Sequence, residues 1–161
     1  MTQNATREAG LSGGTLEVPM QLRRVLARNS GRLVLTPANV GTIAGPASAD
    51  WNASHIFNER WPRHARFHGV VGLGTPIALA LFALWHLWAS PRERRLGRGI
   101  AAAVPIAYWG SFFPALLVRG TGLDDPPHPV GRIAGIPANL FWATFTTAAA
   151  FGGWLLDRRA R

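Results

Sequence analysis

Cysteine and lysine are both absent, tyrosine occurs once and methionine twice in a chain of 161 residues. Without cysteine there can be no disulfide, no thiolate metal site and no thiol nucleophile, and no redox compartment can be read from the sequence. Charge is also scarce, at 16% of residues, and it is segregated. No Asp, Glu, Lys or Arg occurs in residues 69–90, 99–118 or 133–156. Uncharged stretches of about 20 residues match the thickness of a hydrocarbon core. There is no glycine-rich phosphate loop, no zinc-protease helix motif and no internal repeat. With seven Trp and eight Phe, the chain has too much apolar surface to be disordered throughout.

What is present reads as an integral membrane protein. Residues 1–30 are expected to form a disordered basic tail, rich in Thr, Gly and Ser and then in arginine (Arg23, Arg24, Arg28). Residues 31–161 are expected to form an all-α, four-helix transmembrane bundle with spans at about 33–49, 69–89, 99–118 and 133–156. The first span is the weakest, interrupted by Pro37, Asn39 and Pro46. The second is the strongest, with Trp85 and Trp88 as interfacial anchors. Prolines in every span (Pro37, Pro46, Pro76, Pro105, Pro114, Pro137) predict kinked helices around a central cavity.

Arginine counting sets the orientation. Twelve arginines fall on the tail, the 91–98 loop and the C-terminus, against five on the opposite side (Arg60, Arg63, Arg66, Arg119, Arg132). Both termini are therefore expected in the cytoplasm, with the protein in a bacterial inner membrane. The net charge of +9 flanks apolar spans, so membrane lipid headgroups are the expected partner and nucleic acid is not. A competing reading takes Ala47-Ser48-Ala49 as a signal-peptide cleavage site and Arg23-Arg24 as a twin-arginine signal.

The chemistry-bearing stretch runs from Asp50 to His68, where 19 residues hold three histidines, two acids, three arginines and two tryptophans. His64 and His68 lie four apart on a Pro62-initiated helix, so they share a face, which continues through Val71 and Thr75 towards the expected bundle interior. His128, Arg132 and Asn139 follow at spacings expected to share a face of the fourth span, with Arg119, Asp124 and Asp125 nearby. Asp50, His55, His64 and His68 are the candidate catalytic residues, because carboxylate and imidazole groups beside an apolar pocket can do acid–base work. Asn58, Trp61, His128, Arg132 and Asn139 are the candidate substrate-binding residues.

Two other readings compete. A Zn or Fe site from His55, His64, His68, His128 and Asp50 is one, but no third ligand has diagnostic spacing, so no metal and no cofactor is assigned. A solvated interfacial belt of Trp, Arg and His is the other. Within the spans, His86 reads as a helix–helix hydrogen-bonding residue.

The run Asp50-Trp51-Asn52, His55, Phe57-Asn58, Trp61-Pro62, His64-Ala65 and Phe67-His68 resembles the signature of an uncharacterised family of small four-span membrane proteins from bacteria and fungi. The resemblance implies that residues 50–68 are an uncleaved loop joining the first two spans. It implies no activity, because that family is a domain of unknown function. A looser similarity of architecture links the chain to sterol-isomerase-like four-span proteins, although fold does not give function. The expected function is a membrane-embedded acid–base enzyme of isomerase, cyclase or hydrolase type, or a binder, for a lipid-like hydrophobic small molecule. The alternative is a non-catalytic accessory protein whose His- and Trp-rich outer loop docks a partner.

Overall fold

A computed structural model describes residues 19–89, 94–124 and 128–159; residues 1–18 of the expected tail, Arg92, Asp125 and Arg161 lie outside them. The architecture is all-α: α1 (Met20–Asp50), α2 (Arg63–Ala89), α3 (Arg94–Gly110), the short α4 (Phe112–Ala115), and α5 (Ala138–Arg159) after a small hairpin of β1 (Arg132–Ile133) and β2 (Ile136–Pro137). Helix α1 begins at Met20, so residues 20–30, expected in the disordered tail, are helical.

Helices α1 and α3 run parallel through the middle of the bundle, with α2 and α5 antiparallel to them on opposite flanks. Trp88 near the end of α2 donates to Thr36 in the first half of α1, and Arg98 early in α3 pairs with Asp157 late in α5. The start of α1, the end of α5 and the α2–α3 connection therefore share one end. Residues 51–62 and 111–137 occupy the other.

Small residues make up much of the interior, beside the larger Leu35, Ile56, Leu73, Leu87 and Trp109. Ala80 and Ala83 of α2 are 0% exposed, whereas Leu81 and Trp85 between and beside them are 55% and 59% exposed. Ala101 and Ala102 of α3 and Ala143 and Ala150 of α5 are buried in the same way, while Trp142, Phe145 and Phe151 face out. The small residues let the helix backbones approach closely. At Gly97 a Cβ would stand 2.4 Å from the His86 carbonyl, and at Gly31 it would stand 2.8 Å from the Asp157 Cβ.

One helix among the described residues, α2, is long and apolar enough to cross a membrane, and 28% of its apolar window is buried in the bundle. The other expected spans differ from their helices in instructive ways. The third was expected to reach Val118, but α3 ends at Gly110 after 17 residues. Pro114 has no N–H to offer the Gly110 carbonyl, so the helix breaks and restarts as the single turn of α4. The fourth starts at Ala138, five residues later than expected, because Ala134 (φ 50°) and Gly135 (φ 81°) form the two-residue turn of the hairpin. Two positive φ values in succession suit a tight hairpin and end any helix. Pro137 consequently precedes α5 and lies outside its interior.

Candidate functional site

The buried positions of α1 (Gly31, Leu35, Ala38, Asn39, Thr42, Pro46) recur every three or four residues, forming one face that leads up to Asp50. Two polar groups on that face are fully buried, Asn39 and Thr42. The Asn39 amide donates to the Leu35 carbonyl (2.9 Å) and, across the bundle, to the Ala101 carbonyl (2.7 Å). Thr42 Oγ1 donates to the Ala38 carbonyl (2.8 Å) and accepts from Trp109 Nε1 (3.0 Å). This packed seam between α1 and α3 stands where proline kinks were expected to leave a central cavity. Open grooves lie instead along α3, one of them shared with α2.

Beyond Asp50 the chain turns sharply, and Asn52 organises the turn. Its Nδ2 donates to the Ala49 carbonyl (2.6 Å), relieving one of the orphan carbonyls at the end of α1. Its Oδ1 accepts from Ser54 N (2.9 Å), Ser54 Oγ (2.6 Å) and His55 N (3.2 Å). The single Ser54 hydroxyl proton goes to Asn52, an acceptor only at Oδ1, so the His55 Nδ1 3.0 Å away is the donor to Ser54 Oγ. That assignment leaves His55 Nε2 as the open ring nitrogen.

Asn58 plays a similar part. Its side chain donates to the Ser54 carbonyl (3.1 Å) and accepts from Arg60 N (3.0 Å), while its own carbonyl accepts from Arg66 Nη2 (3.0 Å). Ile56, 2% exposed, plugs this end of the bundle, and the Trp61 ring lies over Gly69, where a Cβ would approach it to 2.9 Å.

Asp50 is half-buried at the end of α1. Burial pushes its carboxyl above the usual range, and the nearby His55 pulls it partly back. The Tyr108 phenol lies within the field of the Asp50 charge. Tyr108 is also one wall of an open apolar groove of about 400 Å³ between α2 and α3, lined further by Thr75, Pro76, Leu79, Ala103 and Ala107. A second groove of about 520 Å³ runs along α3 past Arg95, Leu96 and Gly99.

Of the residues singled out by sequence, Asp50, His55 and Trp61 come together; the His55 and Trp61 rings meet edge to face at 6.2 Å. His64 and His68 form a separate pair, with their Nε2 atoms 3.1 Å apart. They are exposed together with Val71, so this part of the face looks away from the bundle and not into it as expected, while Thr75, further along, borders the α2–α3 groove. The reason is that Leu73, Pro76, Ala80, Ala83 and Leu87 take the inward positions of α2. His128, Arg132 and Asn139 do not share a helix face, because α5 begins only at Ala138. His128 is exposed ahead of the hairpin, Arg132 donates to the Gly135 carbonyl (3.1 Å) within it, and Asn139 accepts from Leu140 N (2.9 Å) in the first turn of α5.

Among the described residues no three His, Asp or Glu side chains converge in a way that could hold a metal ion. Sequence reading passes over Tyr108 and Thr42, takes Trp109 as a belt or packing residue, and treats Asn39 only as an interruption of the first span. The available signal was Asn39 and Thr42 on the same helical face as Leu35, with Pro105 opposite.

No curated protein and no solved structure matches the chain. A family model matches residues 33–159, from within α1 to the last residue of α5. The chain belongs to the family of unknown function DUF6640.

Proposed function

We propose that the chain is a four-span membrane bundle that binds an amphipathic, lipid-like small molecule and exchanges a proton with its polar end. The observation that carries this reading is the groove between α2 and α3. It is apolar along Leu79, Ala103 and Ala107, and it ends at Tyr108, within the field of Asp50. An apolar tail would lie in the groove, open to the hydrocarbon, while the polar end reaches Tyr108, Asp50 and His55. A carboxyl whose acid form is favoured by burial, beside an imidazole with its Nε2 open, can give and accept a proton at one polar group. That is the chemistry of an isomerisation, cyclisation or hydrolysis.

The membrane part of the proposal is supported by the inverted distribution of large and small apolar residues. Its orientation, with both ends of the bundle's chain in the cytoplasm of a bacterial cell and Asp50 on the outer side, is supported by the arginine distribution.

The test is extraction of bound small molecules from protein purified in mild detergent, compared by mass spectrometry with Asp50→Asn and Tyr108→Phe. A specific amphiphile held by the natural chain and lost from both variants is the expected result. Identical bulk lipid in all three preparations would overturn the proposal.

A further inference from the structure

His64 and His68 are one helical turn apart at the start of α2, outside the uncharged 69–90 stretch and on the outer face of the bundle. Their rings stand edge to face, with centroids 4.5 Å apart, and the two Nε2 atoms converge to 3.1 Å. Both side chains are exposed, and the His64 ring is stacked against Phe67 at 6.4 Å with 12° between the planes, which restrains its orientation. With metal–nitrogen bonds of about 2.0–2.1 Å, two nitrogens at this separation subtend about 100° at a shared ion. That angle lies between those of a square-planar or octahedral site and a tetrahedral one. We infer that His64 and His68 form a two-imidazole chelate for a borderline divalent cation (Cu²⁺, Ni²⁺ or Zn²⁺) at the outer surface of the protein.

The chemistry selects this class of ion. Neutral imidazole suits Cu, Ni and Zn, whereas Mg²⁺ and Ca²⁺ require oxygen ligands that the pair does not supply. Cu²⁺ binds tightest in the general order for nitrogen sites. The remaining coordination positions are open to water or to a ligand from outside, since no third His, Asp or Glu among the described residues joins the pair. Metal entry replaces the Nε2–Nε2 hydrogen bond: the ring that donated it carries its proton on Nδ1 instead, and both rings turn slightly so that the two Nε2 lone pairs meet at the ion. The site lies apart from the Asp50–His55 cluster and does not depend on the function proposed for it.

The test uses the full chain in detergent, purified through a tag without histidine and stripped with chelator, then titrated with Cu²⁺, Ni²⁺ and Zn²⁺. The expected result is one Cu²⁺ per chain, bound more tightly than Ni²⁺ or Zn²⁺, with a spin-resonance spectrum showing coupling to two imidazole nitrogens. His64→Ala and His68→Ala should each weaken binding at least about tenfold, because the second imidazole no longer acts at high effective concentration. Each should also reduce the nitrogen coupling to that of one ring. Both residues are exposed, so the metal-free melting temperature of the variants is expected to stay at the natural value. Equal Cu²⁺ affinity in the natural chain and both variants, or a spectrum without two-nitrogen coupling, would overturn the inference.

Discussion

The Asn39 amide donates to the Ala101 carbonyl at 2.7 Å, and that carbonyl is free because Pro105, one turn further along α3, has no N–H to give it. The proline of α3 is thus answered by a side chain of the neighbouring helix. Asn39 is fully buried, so the bond is shielded from water and ties the two central helices together at mid-length.

This pairing predicts a specific coupling. Asn39→Ala should destabilise the bundle by about 1–2 kcal/mol, the range for an interhelical hydrogen bond in lipid-like surroundings. In a Pro105→Ala background the new N–H can satisfy the Ala101 carbonyl within α3, and the same Asn39→Ala change should cost less. A double-mutant cycle on unfolding in detergent measures the difference. Strict additivity of the two changes would show that the Asn39 bond does not answer the proline.

Much of the architecture was legible in the sequence because charge and apolar composition are one-dimensional signals. Four long helices, and the placing of residues 51–62 and 119–132 at the end opposite the start of α1, follow from where arginines interrupt uncharged runs. Helix ends were less legible. Ser111 and the Ala134-Gly135 turn are set by backbone geometry that hydropathy does not register. The facing of α2 was misread for a related reason. The His64–His68 face continues through Val71 and Thr75, which by themselves fix no inward side, and the inward positions go to Leu73, Pro76, Ala80, Ala83 and Leu87. At the site, Asn52 and Asn58 drew notice as polar residues in a dense motif. The structure employs both amides to hold the turn after α1, a role that only the partner atoms reveal.

The glycines divide into two groups with opposite expected outcomes. Gly97→Ala brings a Cβ to 2.4 Å from the His86 carbonyl, a backbone atom that cannot swing aside, and α2 and α3 must separate. Gly31→Ala meets the Asp157 Cβ and the Gly153 carbonyl, both at 2.8 Å. Each should lower stability by about 1–3 kcal/mol through overpacking. Gly72→Ala and Gly74→Ala meet nothing within 4 Å, and as helical positions they should gain up to about 1 kcal/mol. Melting temperatures of the four variants in one detergent decide the matter. Equal losses at Gly72 and Gly97 would mean that these glycines do not serve close helix approach.

Asp50 supplies a pH dependence whose sign is fixed by its environment. Burial raises its folded-state pKa above the unfolded value of 3.8, with His55 opposing. The folded state then holds its proton to higher pH than the unfolded chain does, and stability from this group is full below the unfolded pKa and declines as pH rises through the folded one. Asp50→Asn should therefore stabilise the bundle at neutral pH and remove that decline, while making little difference below about pH 3.8. Unfolding midpoints of both proteins, followed from pH 3 to 7, check it. A variant that is less stable than the natural chain at pH 7 would place Asp50 in a favourable ion pair instead.

The absence of cysteine makes the proposed orientation directly measurable, because a single introduced thiol is the only reactive one in the chain. Ala53 is exposed in the turn after α1, and Arg159 is exposed at the end of α5, at opposite ends of the bundle. Ala53 makes no side-chain hydrogen bond and Arg159 lies in the last turn of its helix, so Ala53→Cys and Arg159→Cys should fold normally. In intact bacterial cells expressing each variant, a membrane-impermeant maleimide should label Ala53→Cys at once. Arg159→Cys should react only after the membrane is opened. The reverse pattern would invert the bundle and put Asp50 and the histidine pair in the cytoplasm, out of reach of outer-leaflet amphiphiles and of extracytoplasmic metal. Labelling of both sites without permeabilisation would remove the membrane barrier between them, and the four-span reading with it.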